Sequence, residues 1–507
     1  MNIVGPRQCR SYLFLLLLFA FCLYCGYETV IGVFQIIDIY NKNHSLFALT
    51  GTFKNPGPYG GFLSICISLL ISYCTINKDI CKNSTVYAFI YWLAVFVSVF
   101  AIIVLPSTQS RSAILALICS MLLLYFKIKT SKGRWYSLLN NGKFFILIGI
   151  IVIGTTSYFI KKQSADGRLF MDKICLMTMK DNRFRGVGAG NFGGVYGKAQ
   201  LDYFKRQIEK KGNYFLDWRA INETERIAAD CPDNAFNEYL FIGVESGIII
   251  MLFFIGMVLS SIYISLKRGT IWCYGLTSFS IFSFFSYPLH VVQLQVIFII
   301  LVVACLFDGE IRHAWFFPCS LICIFFLILV IEKDRSKIKN QRIVEDVWKR
   351  TEHWYRMGYY DYIIEDCDSI FDYMKNNKRF LFVYGHSLNK TGLFEKSDMI
   401  LKIGTEKSCD PMFWNVMGNN SLALGKYREA EERYLNAFYM VPNRLYPLYL
   451  LSKLYYIECD TTRFLDMAEM VEAFIPKIES LATERLKIEI KELKSNVQVT
   501  FNNVMDQ

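Results

Sequence analysis

The sequence predicts an all-α protein, a polytopic transmembrane helix bundle with a large extracytoplasmic loop and a C-terminal helical-repeat solenoid. Three observations support this fold class. Of the 507 residues, 53% are hydrophobic and only 20% are charged, and the mean hydropathy of +0.29 is too high for a soluble core. Up to residue 331, long apolar runs alternate with short basic segments. Beyond residue 331 the sequence becomes polar and periodic.

Apolar runs long enough to cross a hydrocarbon core of roughly 30 Å occur about nine times. The first run follows two arginines, as in a signal peptide, but it has no small-residue cleavage site, so we expect a retained helix. Two runs on either side of Pro288 are short and also fit a single broken hairpin. The predicted spans are 11–37, 58–76, 85–105, 112–127, 144–161, 235–266, 270–287, 289–307 and 314–331.

Lysine and arginine are concentrated in alternate loops, which identifies those loops as cytoplasmic. The opposite, extracytoplasmic side then receives the long polar insertion 162–234 and everything after residue 331. This arrangement also explains the net charge of +11, because basic flanks face anionic head groups. Nucleic-acid binding is therefore not expected. The 16 cysteines are scattered, many within apolar runs, and are interpreted as buried hydrophobes rather than a disulfide framework or a metal site.

The C-terminal region matches the tetratricopeptide repeat pattern. One copy contains Trp414, Gly418, Gly425, Tyr427, Ala430, Tyr434, Ala437 and Pro442, with Ser421 replacing an aromatic residue. Weaker copies upstream contain Gly385, Gly392, Phe394, Ser397 and Leu401, and Trp354, Gly358, Tyr360 and Ile363. We therefore predict a membrane domain at 1–331, a repeat domain at 332–497 that forms a docking surface, and a tail at 498–507.

Three arginines are candidate ligands for a diphosphate. Arg111 lies at the outer end of a predicted span among hydroxyl and amide side chains, and its alternative role is a snorkelling anchor. Arg168 opens the insertion, where a salt bridge with Asp172 is the alternative. Arg185 follows in the same insertion. Guanidinium groups match phosphate oxygens in a bidentate manner, so Arg111 and Arg168 would clamp a lipid-linked diphosphate if they converged.

The glycine-rich segment 186–194 does not fit a dinucleotide-binding loop, because no strand-like run precedes it and no Lys-Ser/Thr pair follows. It is better interpreted as a turn that allows close backbone approach. The next segment, 198–211, has the pattern of an amphipathic helix, and we expect it to lie on the membrane surface.

Candidate acid, base and amide groups occur where the chain returns to apolar sequence. Asp233 and Glu238 are candidate bases, and Asn237 is a candidate for orienting a hydroxyl, although Asp233 also fits a helix cap. Glu245 lies inside an apolar helix, where an acid is a functional candidate. His290 is either a base or a structural residue without a visible partner. No metal or hydrolase motif appears, so no metal and no cofactor are expected.

These features together resemble the O-antigen ligase and polymerase superfamily, over roughly residues 51–330. The motifs that carry the resemblance are Gly51 to Pro58, Ser110-Arg111-Ser112, Gly167-Arg168, Arg185 to Phe192, Phe236 to Leu240 with Glu245 and Gly247, and Ser286 to Leu289. The resemblance implies glycosyl transfer at the periplasmic face of the inner membrane. The donor would be an undecaprenyl-diphosphate-linked glycan, and the acceptor a lipid A core, a polysaccharide or a protein.

The sequence departs from this family at one position. In the ligases the proposed base is a histidine before the Asn-Glu pair, and here Phe236 takes that place. The base is then Glu238, Asp233 or His290, or the chain has different chemistry or none. The chain also starts later than is usual for the family, which suggests a short member or a truncated reading frame.

We expect a metal-independent transferase whose repeats bind an unknown partner or guide glycan. A polymerase is the nearest rival. A non-catalytic scaffold is the rival from another class, and a transporter is third, since only the break at Pro288 supports one.

Overall fold

The computed structural model describes residues 12–41, 43, 47, 49–78, 85–131, 162–182, 184–209, 218–308 and 342–505. Regular structure in these residues is helical throughout, and it includes a helical segment at 342–357 in addition to the labelled helices below. In chain order the helices are α1 (Tyr12–Ile36), α2 (Pro56–Ile76), α3 (Thr85–Val104), α4 (Arg111–Ser131), α5 (Lys162–Asp181), α6 (Phe192–Glu209), α7 (Glu223–Ala228), α8 (Glu238–Ser246), α9 (Ile248–Arg268), α10 (Trp272–Ser283), α11 (Val292–Phe307), α12 (Asp361–Met374), α13 (Lys378–Lys390), α14 (Phe394–Thr405), α15 (Met412–Ala423), α16 (Tyr427–Met440), α17 (Tyr446–Ile457), α18 (Thr461–Ala473) and α19 (Leu481–Met505).

The chain forms two compact units. Unit 1 comprises 1–161, 235–243 and 249–324, and unit 2 comprises 162–234, 244–248 and 325–507. The polar insertion is therefore grouped with the C-terminal helices. The predicted domain boundaries at 331 and 497 stay predictions.

Unit 1 contains the apolar helices expected of a membrane protein. Within the part of the chain that the structure describes, five helices are long and apolar enough to cross a membrane, at Phe14–Ile36, Pro56–Ile76, Thr85–Thr108, Arg111–Lys129 and Ile248–Arg268. These agree with the predicted spans to within a few residues at most ends. The predicted spans at 144–161 and 314–331 lie outside the described residues, so the count of about nine stays a prediction.

The prediction of one continuous span at 235–266 is wrong. Helix α8 ends at Ser246 and α9 begins at Ile248. Gly247 lies between them with φ +90°, a left-handed conformation that interrupts a right-handed helix. A side chain there would also overlap the carbonyl oxygen of Phe184. The close approach of a second backbone segment therefore requires the break.

The two predicted runs around Pro288 form short helices. Helix α10 has 12 residues and α11 has 16 residues. A 3₁₀ turn, Pro288–His290, lies between them. Both helices are shorter than the roughly 20 residues of a straight span.

Helix α2 forms the centre of unit 1 and packs against α3, α4 and α10. Its small residues allow this close packing. Gly61 lies against the ring of Phe282, which leaves no room for a Cβ atom. One turn further, the hydroxyls of Ser64 and Ser278 are 3.2 Å apart. This contact fixes α2, and with it the polar loop that precedes α2.

In unit 2, a partly exposed polar network joins the helices of the insertion. The carboxylate of Glu225 accepts hydrogen bonds from Lys173 Nζ at 2.7 Å, Tyr203 Oη at 2.7 Å and Gln207 Nε2 at 2.9 Å. Burial alone would raise the pKa of Glu225, but these donors outweigh it and lower the pKa. The network ties α5, α6 and α7 together.

Helix α6 was expected to lie on the membrane surface, and this prediction is wrong. The helix forms, and Leu201, Phe204 and Ile208 define its apolar side as predicted. However, all three side chains are buried within unit 2. Phe204 packs on Phe170 of α5, and Leu201 joins a cluster with C-terminal residues at positions 440 and 441. Protein rather than lipid covers this face.

The insertion and the C-terminal helices also share specific polar contacts. Asn443, which is 2% exposed, donates to the carbonyl oxygens of Arg226 at 2.9 Å and Ala229 at 2.6 Å. Arg226 in turn donates to the carbonyl of Ile475 at 2.9 Å, and its guanidinium lies over the ring of Phe474. The C-terminal helices thus bind the chain's own insertion.

The C-terminal helices have a repeating geometry. A residue with positive φ occupies four successive helix–helix turns, at Gly358, Gly392, Gly425 and Cys459, which are 33 or 34 residues apart. Gly385 lies against Leu401, and 33 residues later Gly418 lies against Tyr434. Small residues that meet large ones at this period are typical of stacked helical pairs. The tetratricopeptide assignment stays a prediction.

Candidate functional site

The first candidate group lies at the start of α8 in unit 1. Glu238 is the first residue of this helix and is 1% exposed. One carboxylate oxygen accepts a hydrogen bond from the backbone N–H of Leu289 at 2.6 Å. The same oxygen is 3.4 Å from Nδ1 of His290. A buried carboxylate thus faces a histidine that lies 52 positions further along the chain.

His290 is held from two sides. Glu238 faces its Nδ1 atom, and the ring of Phe241 lies perpendicular to the imidazole with centroids 4.4 Å apart. The histidine side chain remains 29% exposed. When Nδ1 carries the proton and donates to the carboxylate, Nε2 keeps a lone pair that can accept a proton. The sequence left His290 without a partner, and the structure supplies one.

Phe236, the residue before Asn237 and Glu238, has an unusual backbone conformation. Its φ is +50°, a left-handed conformation that a bulky residue rarely adopts. Its ring meets that of Tyr287 edge to face, with centroids 5.1 Å apart. Asn237 then caps α8, because its Oδ1 accepts from the backbone N–H of Leu240 at 3.3 Å. This sharp entry into α8 places Glu238 at the first helical position.

The loop before α2 reaches the same turn. Asn55 caps α2 by accepting from the backbone N–H of Gly57 at 3.0 Å. Its Nδ2 atom donates to the hydroxyl of Tyr287 at 3.3 Å. Tyr287 directly precedes the 3₁₀ turn that carries His290. The loop 51–55, the turn 288–290 and the start of α8 therefore form one connected group.

Two buried polar residues of α1 hold this loop, and the sequence analysis missed both. Glu28 accepts from the backbone N–H of Thr52 at 3.0 Å and also binds its hydroxyl. Gln35 accepts from the backbone N–H of Gly51 at 2.8 Å and donates to its carbonyl at 3.0 Å. Glu28 and Gln35 are both 0% exposed. Two polar residues seven positions apart in an apolar span share a helix face, and this signal was available in the sequence.

Arg111 belongs to unit 1 and is the first residue of α4. The residue before it, Ser110, is buried against Gly60 of α2, which has no space for a Cβ atom. The close helix contact fixes the position at which α4 starts. The Arg111 side chain is half-exposed.

The remaining candidates belong to unit 2. Arg168 lies in α5 and is half-exposed, and Arg185 is exposed between α5 and α6. The Asp233 carboxylate is 69% exposed and forms an ion pair with Lys378 of α13. The structure therefore brings Glu238, His290 and Asn237 together in unit 1. The convergence of Arg111 and Arg168 stays a prediction.

The glycine-rich turn allows close backbone approach, as predicted. Gly186, Gly188 and Gly190 all have positive φ. The backbone N–H of Gly188 donates to the carbonyl of Glu245 at 2.9 Å, and that of Gly190 donates to the Glu245 carboxylate at 2.8 Å. A Cβ atom on Gly186 would overlap the backbone of Glu245. Glu245 thus anchors this turn to the end of α8.

Comparisons with known proteins agree with the resemblance noted in the sequence. Residues 96–255 match the model of a family described as O-Antigen ligase. No curated protein matches the chain. The matched segment includes Arg111, Arg168, Arg185, Asp233, Phe236, Asn237 and Glu238, whereas His290 and the loop before α2 lie outside it. The match over residues 96–255, together with the apolar helices of unit 1, supports the O-antigen ligase superfamily for this chain.

Proposed function

We propose that the protein transfers a glycan from an undecaprenyl-diphosphate carrier to an acceptor hydroxyl at the periplasmic face of the inner membrane. The family match supports a function of the ligase or polymerase type. The buried carboxylate of Glu238 lies beside the partly exposed imidazole of His290, and this pair is the observation on which we assign catalytic roles. A carboxylate that orients a histidine toward a reacting hydroxyl is a recurring form of general-base catalysis.

In the proposed reaction His290 acts as the base. Its Nε2 atom takes the proton from the acceptor hydroxyl while that oxygen attacks the anomeric carbon of the donor sugar. Glu238 fixes the tautomer through Nδ1 and stabilises the imidazolium that forms. Asn237 turns its amide toward the acceptor, since its carbonyl oxygen is already used in capping α8.

The leaving group is the carrier diphosphate, which departs with the electron pair of the broken C1–O bond. Arg111, Arg168 and Arg185 would neutralise the negative charge that develops on this oxygen. Guanidinium groups suit this task because each can hold two phosphate oxygens at once. No metal or cofactor is required in this scheme.

Asp233 is the weaker candidate for the base. Its carboxylate pairs with Lys378, and 69% of it is exposed to solvent. An ion-paired, solvated carboxylate is a weak base at neutral pH. We therefore assign proton abstraction to His290 and an ion-pairing role to Asp233.

Phe236 favours one rival, a non-catalytic membrane scaffold in which the C-terminal helices do the work. The phenyl ring at this position cannot accept a proton, and it packs on Tyr287. A polysaccharide polymerase differs from the ligase only in its acceptor, which would be another copy of the same glycan. Transfer to a lipid A core or to a protein would instead indicate a ligase.

The test uses the purified full-length protein with undecaprenyl-diphosphate glycan and each acceptor class in turn. We expect turnover with one acceptor class, and loss of turnover in His290→Gln, Arg111→Ala and Arg168→Ala. His353→Gln and Arg356→Ala are matched controls, since both residues are exposed in the helical segment 342–357 of unit 2. Absence of turnover with every acceptor, in folded protein, would support the scaffold.

Orientation is tested separately with a reporter fused after Gln507. We expect the reporter to lie on the periplasmic side. A cytoplasmic reporter would contradict the proposed location of unit 2 and of the reaction.

A further inference from the structure

Two cysteines that are far apart in the sequence meet within unit 2. Cys231 lies in the insertion, and Cys409 lies in the turn between α14 and α15. The Cys409 thiol donates to the carbonyl oxygen of Pro232, the residue that follows Cys231, at 3.6 Å. The two thiols are neighbours, and the Cys231 thiol contributes to a raised pKa of the Cys409 thiol. Both side chains are thiols in this structure.

The segments that carry the two cysteines are fixed on both sides. Asp230, just before Cys231, pairs with Lys477 at 2.9 Å, and Asp233, just after it, pairs with Lys378. These ion pairs hold the insertion against two C-terminal segments, the start of α13 at Lys378 and the connection between α18 and α19 at Lys477. Cys231 therefore cannot drift from Cys409 without breaking at least one pair.

Helix α6 fixes Cys409 from the other direction. A Cβ atom on Gly197 would lie 2.8 Å from both Cα and Cβ of Cys409, so the helix backbone touches this residue directly. Nearby, Gly194 packs even more closely on the backbone of Glu406. Two cysteines on neighbouring segments that are held this firmly need little backbone movement to reach disulfide geometry.

We propose that Cys231 and Cys409 form a disulfide in the native protein, which links the insertion covalently to the C-terminal helices. The inference rests on the proposed function only in that it places unit 2 in the oxidising periplasm. It differs from the sequence-based expectation that all 16 cysteines are buried hydrophobes.

The oxidant is a disulfide of a thiol oxidoreductase or of a small thiol. The Cys231 thiolate attacks one sulfur of that disulfide and releases the other as a thiol. The Cys409 sulfur then attacks the mixed disulfide at Cys231 and releases the second thiol. The protein loses two electrons and two protons, and the oxidant gains both.

The environment sets the order of these steps. Interaction with the neighbouring Cys231 thiol and burial raise the pKa of the Cys409 thiol. Cys409 is 1% exposed, whereas Cys231 is half-buried and accessible to a partner. Cys231 is therefore the first thiol to react, and Cys409 resolves the mixed disulfide.

The experiment alkylates free thiols in intact cells without reductant, and then analyses peptides of the purified full-length protein by mass spectrometry. We expect a linked peptide pair that contains Cys231 and Cys409, and its loss after reduction. The linked pair should be absent from Cys231→Ser and Cys409→Ser and present in Cys459→Ser, which replaces an exposed C-terminal cysteine. Alkylation of both Cys231 and Cys409 in the native protein would overturn the proposal.

A second measurement covers variants that fail to fold. Reduction of the wild-type protein should lower the melting temperature of unit 2 by about 5 °C or more, because the bond closes a long loop. No change on reduction would contradict a native disulfide. These readouts do not depend on turnover, so absence of glycan transfer with the linked peptide present would refute the enzyme and leave the disulfide standing.

Discussion

Replacement of Glu238 by glutamine removes the negative charge beside His290 while keeping the shape of the side chain. The amide oxygen can still accept from the N–H of Leu289, which the carboxylate does at 2.6 Å. A hydrogen bond to a charged acceptor is worth about 1.5–3 kcal/mol and a neutral one about 0.5–1.5 kcal/mol. We therefore expect a stability loss of about 1 kcal/mol, too small to unfold the protein.

The effect on turnover should be much larger. Without the carboxylate, nothing enforces the tautomer with Nδ1 protonated, and the imidazolium loses its counter-charge. General-base catalysis contributes about 10²- to 10⁴-fold, so kcat should fall by that factor, or about 3–5 kcal/mol in activation free energy. His290→Gln should cause a similar loss.

The double variant provides the decisive assay. Because Glu238 is proposed to act only through His290, the variant with both changes should be no slower than His290→Gln alone. Single-turnover measurements with the diphosphate-linked glycan and the preferred acceptor give these rates. If the two losses multiply, or if folded Glu238→Gln retains full turnover, the pairing has no catalytic role.

Three further predictions concern packing, pH and the loop before α2. Gly194→Ala should destabilise unit 2 by about 1–3 kcal/mol in thermal unfolding, because the new methyl group meets a backbone carbonyl, whereas Gly167→Ala, which has open space, should be neutral or slightly stabilising. Since the pKa of Glu225 is lowered from 4.5 in the folded protein, its stabilising effect is fully present above that value and is lost as the pH falls through the lower folded pKa. Glu225→Gln should remove this acid-dependent part of unfolding followed from pH 7 to pH 3. Glu28→Ala should reduce turnover by leaving the N–H of Thr52 without its acceptor, and Glu28→Gln should restore most of it.

Sequence patterns were most informative about the apolar helices of unit 1. Helices α1 to α4 begin and end within a few residues of the predicted spans, because length and hydropathy alone determine whether a segment can cross a membrane. The same criterion failed at 235–266, where hydropathy stays high through Gly247. The break there results from a contact with a remote backbone segment, which hydropathy does not report.

The position of the insertion could not be predicted for a related reason. The pattern of α6 predicted one apolar face correctly, but an amphipathic helix fits a membrane surface and a protein groove equally well. Asn443 reaches the insertion across 214 or more positions of the chain. Pairings at such separations leave no periodic signal in a single sequence.

The candidate site shows how far residue type alone can lead. Sequence reasoning selected Glu238 and His290 separately, each from its own surroundings, and could not pair them. The pairing depends on Phe236, whose left-handed backbone turns the chain into α8, and on the 3₁₀ turn that starts at Pro288. A proline that starts a 3₁₀ turn can be recognised in a sequence. A phenylalanine with a left-handed backbone cannot, because L-residues with bulky side chains avoid that conformation.

The strained position itself supports a functional interpretation of this region. A left-handed backbone at a bulky residue costs roughly 1–3 kcal/mol and persists only where neighbouring contacts compensate for it. Here the ring of Phe236 packs on Tyr287, and the capped helix that follows buries Glu238 next to Leu289 and His290. If the membrane unit were only an anchor, an unstrained entry into α8 would serve equally well. The strain is explained if the carboxylate and the imidazole must meet, which is what the double-variant assay measures.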